Sequence, residues 1–230
     1  AVMKHSRDFN LAREATLNSG LSPQTPAYDV QQACGTGLEA AILVGNKIAL
    51  GQIDSGIAAG TDTTSDAPIA LNEKYRHMVL SLNRAKTLGQ RLKVLTRIRP
   101  SFILPALPAS AEPRTGLSMG EHCELMVKQW NISREDQDQL TFNSHQNLIT
   151  AYQRGFFDDL VTPFNDVQRD GIMRDTPLAK LATLKPAYDR ENGTLTAANS
   201  TTLTDGAAAV LMGSEEWAQQ NNLPIQAYLT

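Results

Sequence analysis

The stretch "DVQQACGTGLEAA", Asp29 to Ala41, decides how the chain reads. The run "PAYDVQQA" predicts a short extended segment, and from Gly35 the pattern turns helical. Leu38, Ala41, Ile42, Gly45, Ile48 and Ala49 recur at helical spacing, and Gly51 supplies the stop. Cys34 therefore stands where an extended run meets a helix start. A helix N-terminus favours an anion through its unpaired N–H groups and dipole, and the thiolate is the nucleophilic form of cysteine. Gly35 and Gly37 permit a tight turn and close backbone approach. Two readings stand on local pattern: a strand–nucleophile–helix elbow, or a small residue packed at a strand end.

Working outward, "SGIAAGT" after Gly51 is short, small and apolar, as a buried strand would be. Asp8 to Ser19 precedes the opening stretch with a helical pattern. Helix, strand, helix, strand in this order is the grammar of an α/β layered sheet. The pattern breaks after Asp66. From Leu71 to Arg114 nine lysines and arginines face two glutamates, a local +7 that leaves −10 for the rest of a chain of net charge −3. A Pro-rich loop follows, then a helix from about Ser118 with Met119, His122, Cys123, Met126, Val127 and Trp130 on its apolar face. Ser133 with Asp136 predicts a capped start for a further helix running to about Arg154. Residues 155–190 are loop-rich. "GTLTAANSTTLTDGAAAVLMGS" returns to small-residue strand grammar, with the last strand at Ala207–Met212. The expected organisation is a partial α/β domain over 1–66, an inserted lobe over 67–202, a return strand over 203–213, and the start of another domain over 214–230.

The 230 residues are enough for one large domain or a core with an inserted lobe. No apolar run approaches the roughly 18–20 residues that span a bilayer. No signal peptide is recognisable at the start, and two cysteines in unlike contexts make no disulfide framework, so the expected location is cytoplasmic. Nucleic acid is disfavoured by the acidic remainder. No CxxC, HExxH, Walker A or GxGxxG pattern is present. None of His5, His77, His122 and His145 stands in a glycine- or proline-rich loop that would aim it at Cys34, and each reads as structural or solvated. Cys123 reads as a packed thiol. The chain opens on Ala1 and closes on the strand-like "PIQAYLT", so it reads as a fragment.

Four separated stretches resemble one family, the thiolases. "QQACGTGLEAA" is similar to the thiolase nucleophile segment, and "GIAAGTDTTSDAP" to the strand and turn that follow it. "MGEHCELMVKQWNISREDQDQLTFNSHQ" resembles the loop-domain run beginning M-G-x-T-A-E. "GTLTAANSTTLTDGAAAVLM" resembles the thiolase return strand. The basic insert and the Pro-rich loop look most like the bacterial β-oxidation, trifunctional β-subunit type. The resemblance implies an α/β thiolase-like layered αβαβα fold, here the N-terminal half with its inserted loop domain covering acyl-CoA. It implies thiolytic cleavage of 3-oxoacyl-CoA, or the reverse Claisen condensation, through an acyl-cysteine. Cys34 matches the acylated nucleophile, Met119 the acyl-pocket residue, Arg174 the arginine at the nucleotide end of CoA, and Thr201 the position beside the pantetheine arm. Coenzyme A enters as substrate, with no permanently bound cofactor and no metal.

The expected partners are acyl-CoA and CoA, a second copy of the chain, and a β-oxidation partner subunit. His122-Cys123-Glu124 departs from the family's T-A-E, and the second-half motifs H-E-A-F, G-H-P and C-x-G-G-G do not occur. Two alternatives stay open: a catalytically incomplete scaffold that binds CoA or a partner, and a decarboxylating condensing enzyme. The basic run Lys74 to Arg99 reads as a solvated face, as a surface for CoA phosphates or a partner subunit, or as a basic amphipathic helix on a membrane surface.

Overall fold

The computed structural model describes residues 9–230 except 103 and 107–108. The described chain forms two compact units. One holds the residues up to 108 together with Leu203–Thr230, and the other is Ala109–Thr202.

In the first unit, helix α1 (Leu11–Asn18) packs no residue fully away from solvent. Side chains hold it to the run before Cys34. Asp29 accepts from the N–H groups of Leu11 at 3.0 Å and Ala12 at 2.9 Å. Asn10 Nδ2 donates to Ala27 O at 3.0 Å, and Arg13 Nη1 donates to Thr25 O at 2.8 Å. The run 26–33 thus forms no strand in a sheet, against expectation. Its Asp29 carboxylate and the Ala27 carbonyl are taken up by α1 and its N-cap Asn10.

Helix α2 (Thr36–Ala49) lies on the sheet of β1 (Ser55–Asp62) and β2 (Gly206–Gly213). The two strands pair antiparallel, Ser55 opposite Gly213 through Asp62 opposite Gly206. Gly56 and Gly60 mark the face turned to α2. A Cβ on Gly56 would meet Val44 at 2.9 Å, and one on Gly60 would meet the Gly37 Cα at 3.5 Å. Ala58, on the same face by alternation, is buried. The opposite face carries Ile57 and its partner Leu211, each about half exposed. β1 is therefore not the strand buried on both faces that its small apolar residues predict.

Helix α2 also differs from its expected stripe. The sheet meets it along Gly37, Val44 and Gly45, whereas Leu38 and Ile42 are exposed. Apolar residues form a wide face on it, with Glu39, Asn46 and Lys47 on the remainder, so spacing did not single out the side that meets the sheet. The closing run "PIQAYLT" forms no strand. Leu229 instead lies against Gly45, where a Cβ would come within 2.7 Å of its Cδ2.

The basic run folds as two helices, α3 (Glu73–Arg84) and α4 (Leu88–Leu95). A single amphipathic helix through "NRAKTLGQRLKVLTRIRP" does not form. Thr87 stops the pattern by capping α4 in a reciprocal box with Gln90. Ala70 and Ala106 exchange backbone bonds of 3.0 and 2.8 Å and close the excursion. Residues 67–108, assigned from sequence to the inserted lobe, group with the sheet unit, as do residues 214–230, assigned to a further domain. The charge change that suggested the first boundary marks surface, not packing.

The second unit is built on α5 (Met119–Trp130) and α6 (Arg134–Gln153), with a short α7 (Leu178–Leu181). Ser118 and Glu121 form a reciprocal capping box on α5, and the Ser133 side chain caps α6. Val127, Leu181 and Leu195 are its buried apolar residues. Back in the first unit, α8 (Glu215–Gln220) follows β2, capped by Ser214.

Lys128 of α5 donates to Asp189 and, with the N–H groups of Asn192 and Glu191, holds that carboxyl down to about 2. The contribution is complete above the unfolded value of 3.8 and is lost as pH falls towards 2. Asp189→Asn is expected to lower the urea midpoint at neutral pH. The gap from the parent should shrink as the acid range is entered. A gap that stays constant down to about pH 3 would contradict the assignment.

Candidate active site

Cys34 is exposed and stands immediately before the start of α2. The turn that carries it is locked by Thr36, the buried threonine of "CGTG". Its hydroxyl accepts from Gln32 N–H at 2.9 Å and donates to Ala33 O at 2.6 Å. Gly35 N–H reaches Gln32 O at 3.0 Å, and Thr36 N–H reaches Ala33 O at 3.2 Å. Ala33 takes a φ of +45°, a left-handed conformation that costs an L residue energy and is kept where surroundings over-determine it. The strain falls beside the candidate nucleophile.

Helices α1, α3, α4, α5, α6 and α8 each receive a side-chain cap, but α2 does not. With Gly35 at its N-cap, no side chain makes a capping hydrogen bond to the first-turn N–H groups. This end opens on a cavity of about 440 Å³ lined by Ala33, Cys34, Gly37, Gly60 and the ends of both strands. The Gly37–Gly60 approach lets backbone, not side chains, form one wall. The far rim is held by Asp205, which accepts from Thr64 N–H at 2.6 Å, from Ser65 N–H at 2.9 Å and from the Ser65 hydroxyl. The Ser65 hydroxyl, then the two N–H groups, hold its carboxyl below the usual range. No histidine and no second cysteine is among the residues lining the cavity.

The other expected site residues lie in the second unit, on separate segments. Met119 is the exposed first residue of α5. Arg174 is exposed, in the loop before α7, and its N–H donates to His145 Nδ1 at 3.3 Å. The next residue is held as well, because Gln146 Nε2 donates to Asp175 Oδ1 at 2.8 Å. Thr201 is exposed, its hydroxyl 3.3 Å from Thr202 O. His77 faces Glu73 at 3.5 Å on the surface. His122 Nε2 meets the Thr115 hydroxyl at 2.9 Å. His5 lies outside the described residues. Cys123 is half-buried. No group of three or more metal-ligating side chains occurs among the described residues.

Sequence reading missed the hydroxyl clamp of Thr36, the strain at Ala33, and the partners that Asp205 finds at Thr64 and Ser65. Only Thr36 had a local signal, its place in the first turn of a predicted helix.

An α/β sheet carrying a glycine-walled cysteine at a helix start, with a helical unit between its two strands in sequence, matches the N-terminal half of the thiolase-like fold found in the proteins it resembles. The chain belongs to the thiolase family, its residues 1–216 matching the family described as thiolase, N-terminal domain. Among its relatives, a 3-ketoacyl-CoA thiolase of Yersinia pestis (strain Pestoides F) is 43% identical over 227 residues, covering 96% of this chain and 52% of that protein. The crystal structure of the Bacillus anthracis acetyl-CoA acetyltransferase matches with a TM-score of 0.75 at 27% identity, over 96% of this chain and 54% of that one. Human mitochondrial 3-ketoacyl-CoA thiolase in complex with CoA matches with a TM-score of 0.72 at 25% identity, over 93% and 51%. The chain spans about half the length of the curated relatives it matches.

The exposed Cys34 is expected to react with iodoacetamide faster than half-buried Cys123, by about tenfold or more. Peptide mapping of the carbamidomethylated protein over time reads the order. Equal rates, or the reverse, would remove the argument for an activated elbow.

Proposed function

We propose that the protein carrying these residues is a thiolase of the 3-ketoacyl-CoA type, with Cys34 as its nucleophile. The observation that supports this most directly is the exposed Cys34 at the one long helix start that, among the described residues, is left without a side-chain cap, facing a cavity walled in part by glycine backbone. In cleavage, Cys34 Sγ forms a bond to the 3-oxo carbon of the substrate. The bond between C2 and C3 breaks, its electron pair becomes the acetyl-CoA enolate, and a proton delivered to C2 completes acetyl-CoA. The sulfur of a second CoA then attacks the acyl-cysteine, releasing a shortened acyl-CoA and the Cys34 thiolate. The Cys34 N–H serves the oxyanion formed during transfer. Both steps need a proton donor and acceptor; besides Cys34 the cavity lining holds one ionisable side chain, Asp62, and neither a histidine nor a second cysteine. These groups are assigned to residues beyond this stretch.

In the same reading Met119 lines the acyl pocket, Arg174 meets the nucleotide end of CoA, and Thr201 lies beside the pantetheine arm. CoA is a substrate and not a resident cofactor. The enzyme is placed in fatty acid β-oxidation, in the cytoplasm, as an oligomer with a β-oxidation partner subunit. No described helix is long and apolar enough to cross a membrane.

Expressed from its complete coding sequence, the Cys34→Ala variant is expected to lose at least about 10³-fold in acyl transfer. Cys123→Ala should stay within a few-fold. Mass spectrometry should find the trapped acyl group on the peptide containing Cys34. Equal loss from both substitutions would reject the assignment. Binding of CoA with no turnover by the parent would favour a scaffold.

A further inference from the structure

Two buried carboxylates lie outside every role assigned above. Glu124 on α5 is 2% exposed, and Asp138 on α6 is 3% exposed. Such groups are costly to bury unless their oxygens are satisfied. Both are satisfied, and both reach the same short stretch, residues 194–199. Glu124 accepts from Thr194 N–H at 3.0 Å and Leu195 N–H at 2.8 Å. Asp138 accepts from Arg134 Nε at 2.7 Å and from Asn199 Nδ2 at 3.1 Å.

Asn199 then ties the stretch to itself. Its Nδ2 also donates to Thr194 O at 3.1 Å, and its Oδ1 accepts from Thr196 N–H at 2.6 Å. Gln137 Nε2 adds a bond to the Thr194 hydroxyl at 3.0 Å. Thr196 is wholly buried and Leu195 nearly so. Two residues past Asn199 the chain is exposed again, at Thr201. Apolar side chains of similar size would hold two helices together at no desolvation cost, and buried ion pairs are weak evidence for stability. What the carboxylates add is one defined conformation for the backbone that leads to Thr201.

We propose that Glu124 and Asp138 are positioning residues for Thr201: they fix residues 194–199 so that Thr201 is presented to the pantetheine arm of CoA in a single conformation. The inference rests on the assignment of Thr201 under the proposed function. It predicts a defect confined to donors and acceptors that carry the arm.

The test uses the full-length enzyme and two acyl donors, a CoA thioester and a p-nitrophenyl ester, which lacks the arm. Asp138→Asn and Glu124→Gln are each expected to raise KM for the CoA thioester about tenfold. Acylation of Cys34 by the ester should stay within about twofold, because it does not use the arm. Thr201→Ala should give the same raised KM, and adding Asp138→Asn to it should change little further. A gentler variant guards against loss of folding. Gln137 Oε1 is buried with no hydrogen-bond partner among the described residues, so Gln137→Met removes an unsatisfied group. It is expected to keep or raise Tm while raising KM for the CoA thioester about threefold.

Parallel loss with both donors would overturn the proposal. So would an unchanged KM in Gln137→Met, or full multiplication of the Asp138→Asn and Thr201→Ala effects. If neither donor acylates Cys34 in the parent enzyme, the thiolase reading itself fails and this assignment falls with it.

Discussion

The pairing of β1 with β2 is the constraint on which the rest of the first unit depends. Ser55–Asp62 and Gly206–Gly213 meet in register although the whole second unit lies between them in sequence. Closing a loop of that length costs on the order of 4 kcal/mol in chain entropy. The ladder offsets it, helped at both ends. Ser214 N–H reaches Asp54 O at 2.9 Å, and at the other end Asp205 takes up the turn at Thr64 and Ser65. A one-residue slip would turn Ala58 and the α2-facing glycines outward. It would also move the Gly60 wall away from Gly37 and Cys34. Site geometry and strand register are therefore one requirement.

The local chemistry at Cys34 follows from what is withheld as much as from what is provided. Elsewhere the longer helices begin with a serine, threonine or asparagine that accepts a backbone N–H. A similar residue at position 35 would stabilise α2 by about 1 kcal/mol. It would also occupy the N–H end that faces the cavity. Glycine leaves that end open, and the turn is held from below by Thr36 instead. Stability is given up at the cap and recovered one residue into the helix, where the Thr36 hydroxyl is engaged by Gln32 and Ala33 although the residue also lines the cavity.

The second unit solves a different problem. Its helices are capped by local motifs, but the stretch 194–199 has few apolar residues to anchor it. Polar side chains from α5 and α6 do so: Glu124, Asp138 and Gln137 on 194–199, and Lys128 on Asp189 upstream. Arg134 joins the two ends of this arrangement, bonding Asp138 and the carbonyls of Leu181 and Leu184. A polar anchor is directional, so it specifies one loop conformation where an apolar contact such as that of Leu195 alone would allow several.

Much of this was legible in the residues themselves. The junction at Cys34, the α5 and α6 starts at Ser118 and Ser133, and both strands follow from spacings of a few residues, and the family from the likeness of whole motifs. Such spacings are enough because caps, turns and helical faces act at separations of three or four positions. Among the readings that failed, three show where local pattern does not decide. The run before Cys34 has strand-like residues but is held by α1 through Asp29, 17 and 18 residues away. Helix α2 has a wide apolar face, so its sheet-facing side was chosen by the glycines of β1. The basic run was divided by one capping threonine.

Sequence by itself determined which residue is the nucleophile candidate, where the helices begin, and to which family the chain belongs. Tertiary structure alone decided the Asp205 rim, formed across 140 and 141 residues, and the reach of Glu124 and Asp138 to a loop 61 to 71 residues away. The reason is physical. A carboxylate's partner at such a distance is set by which N–H groups packing leaves unpaired beside it, and no periodicity along the chain records that.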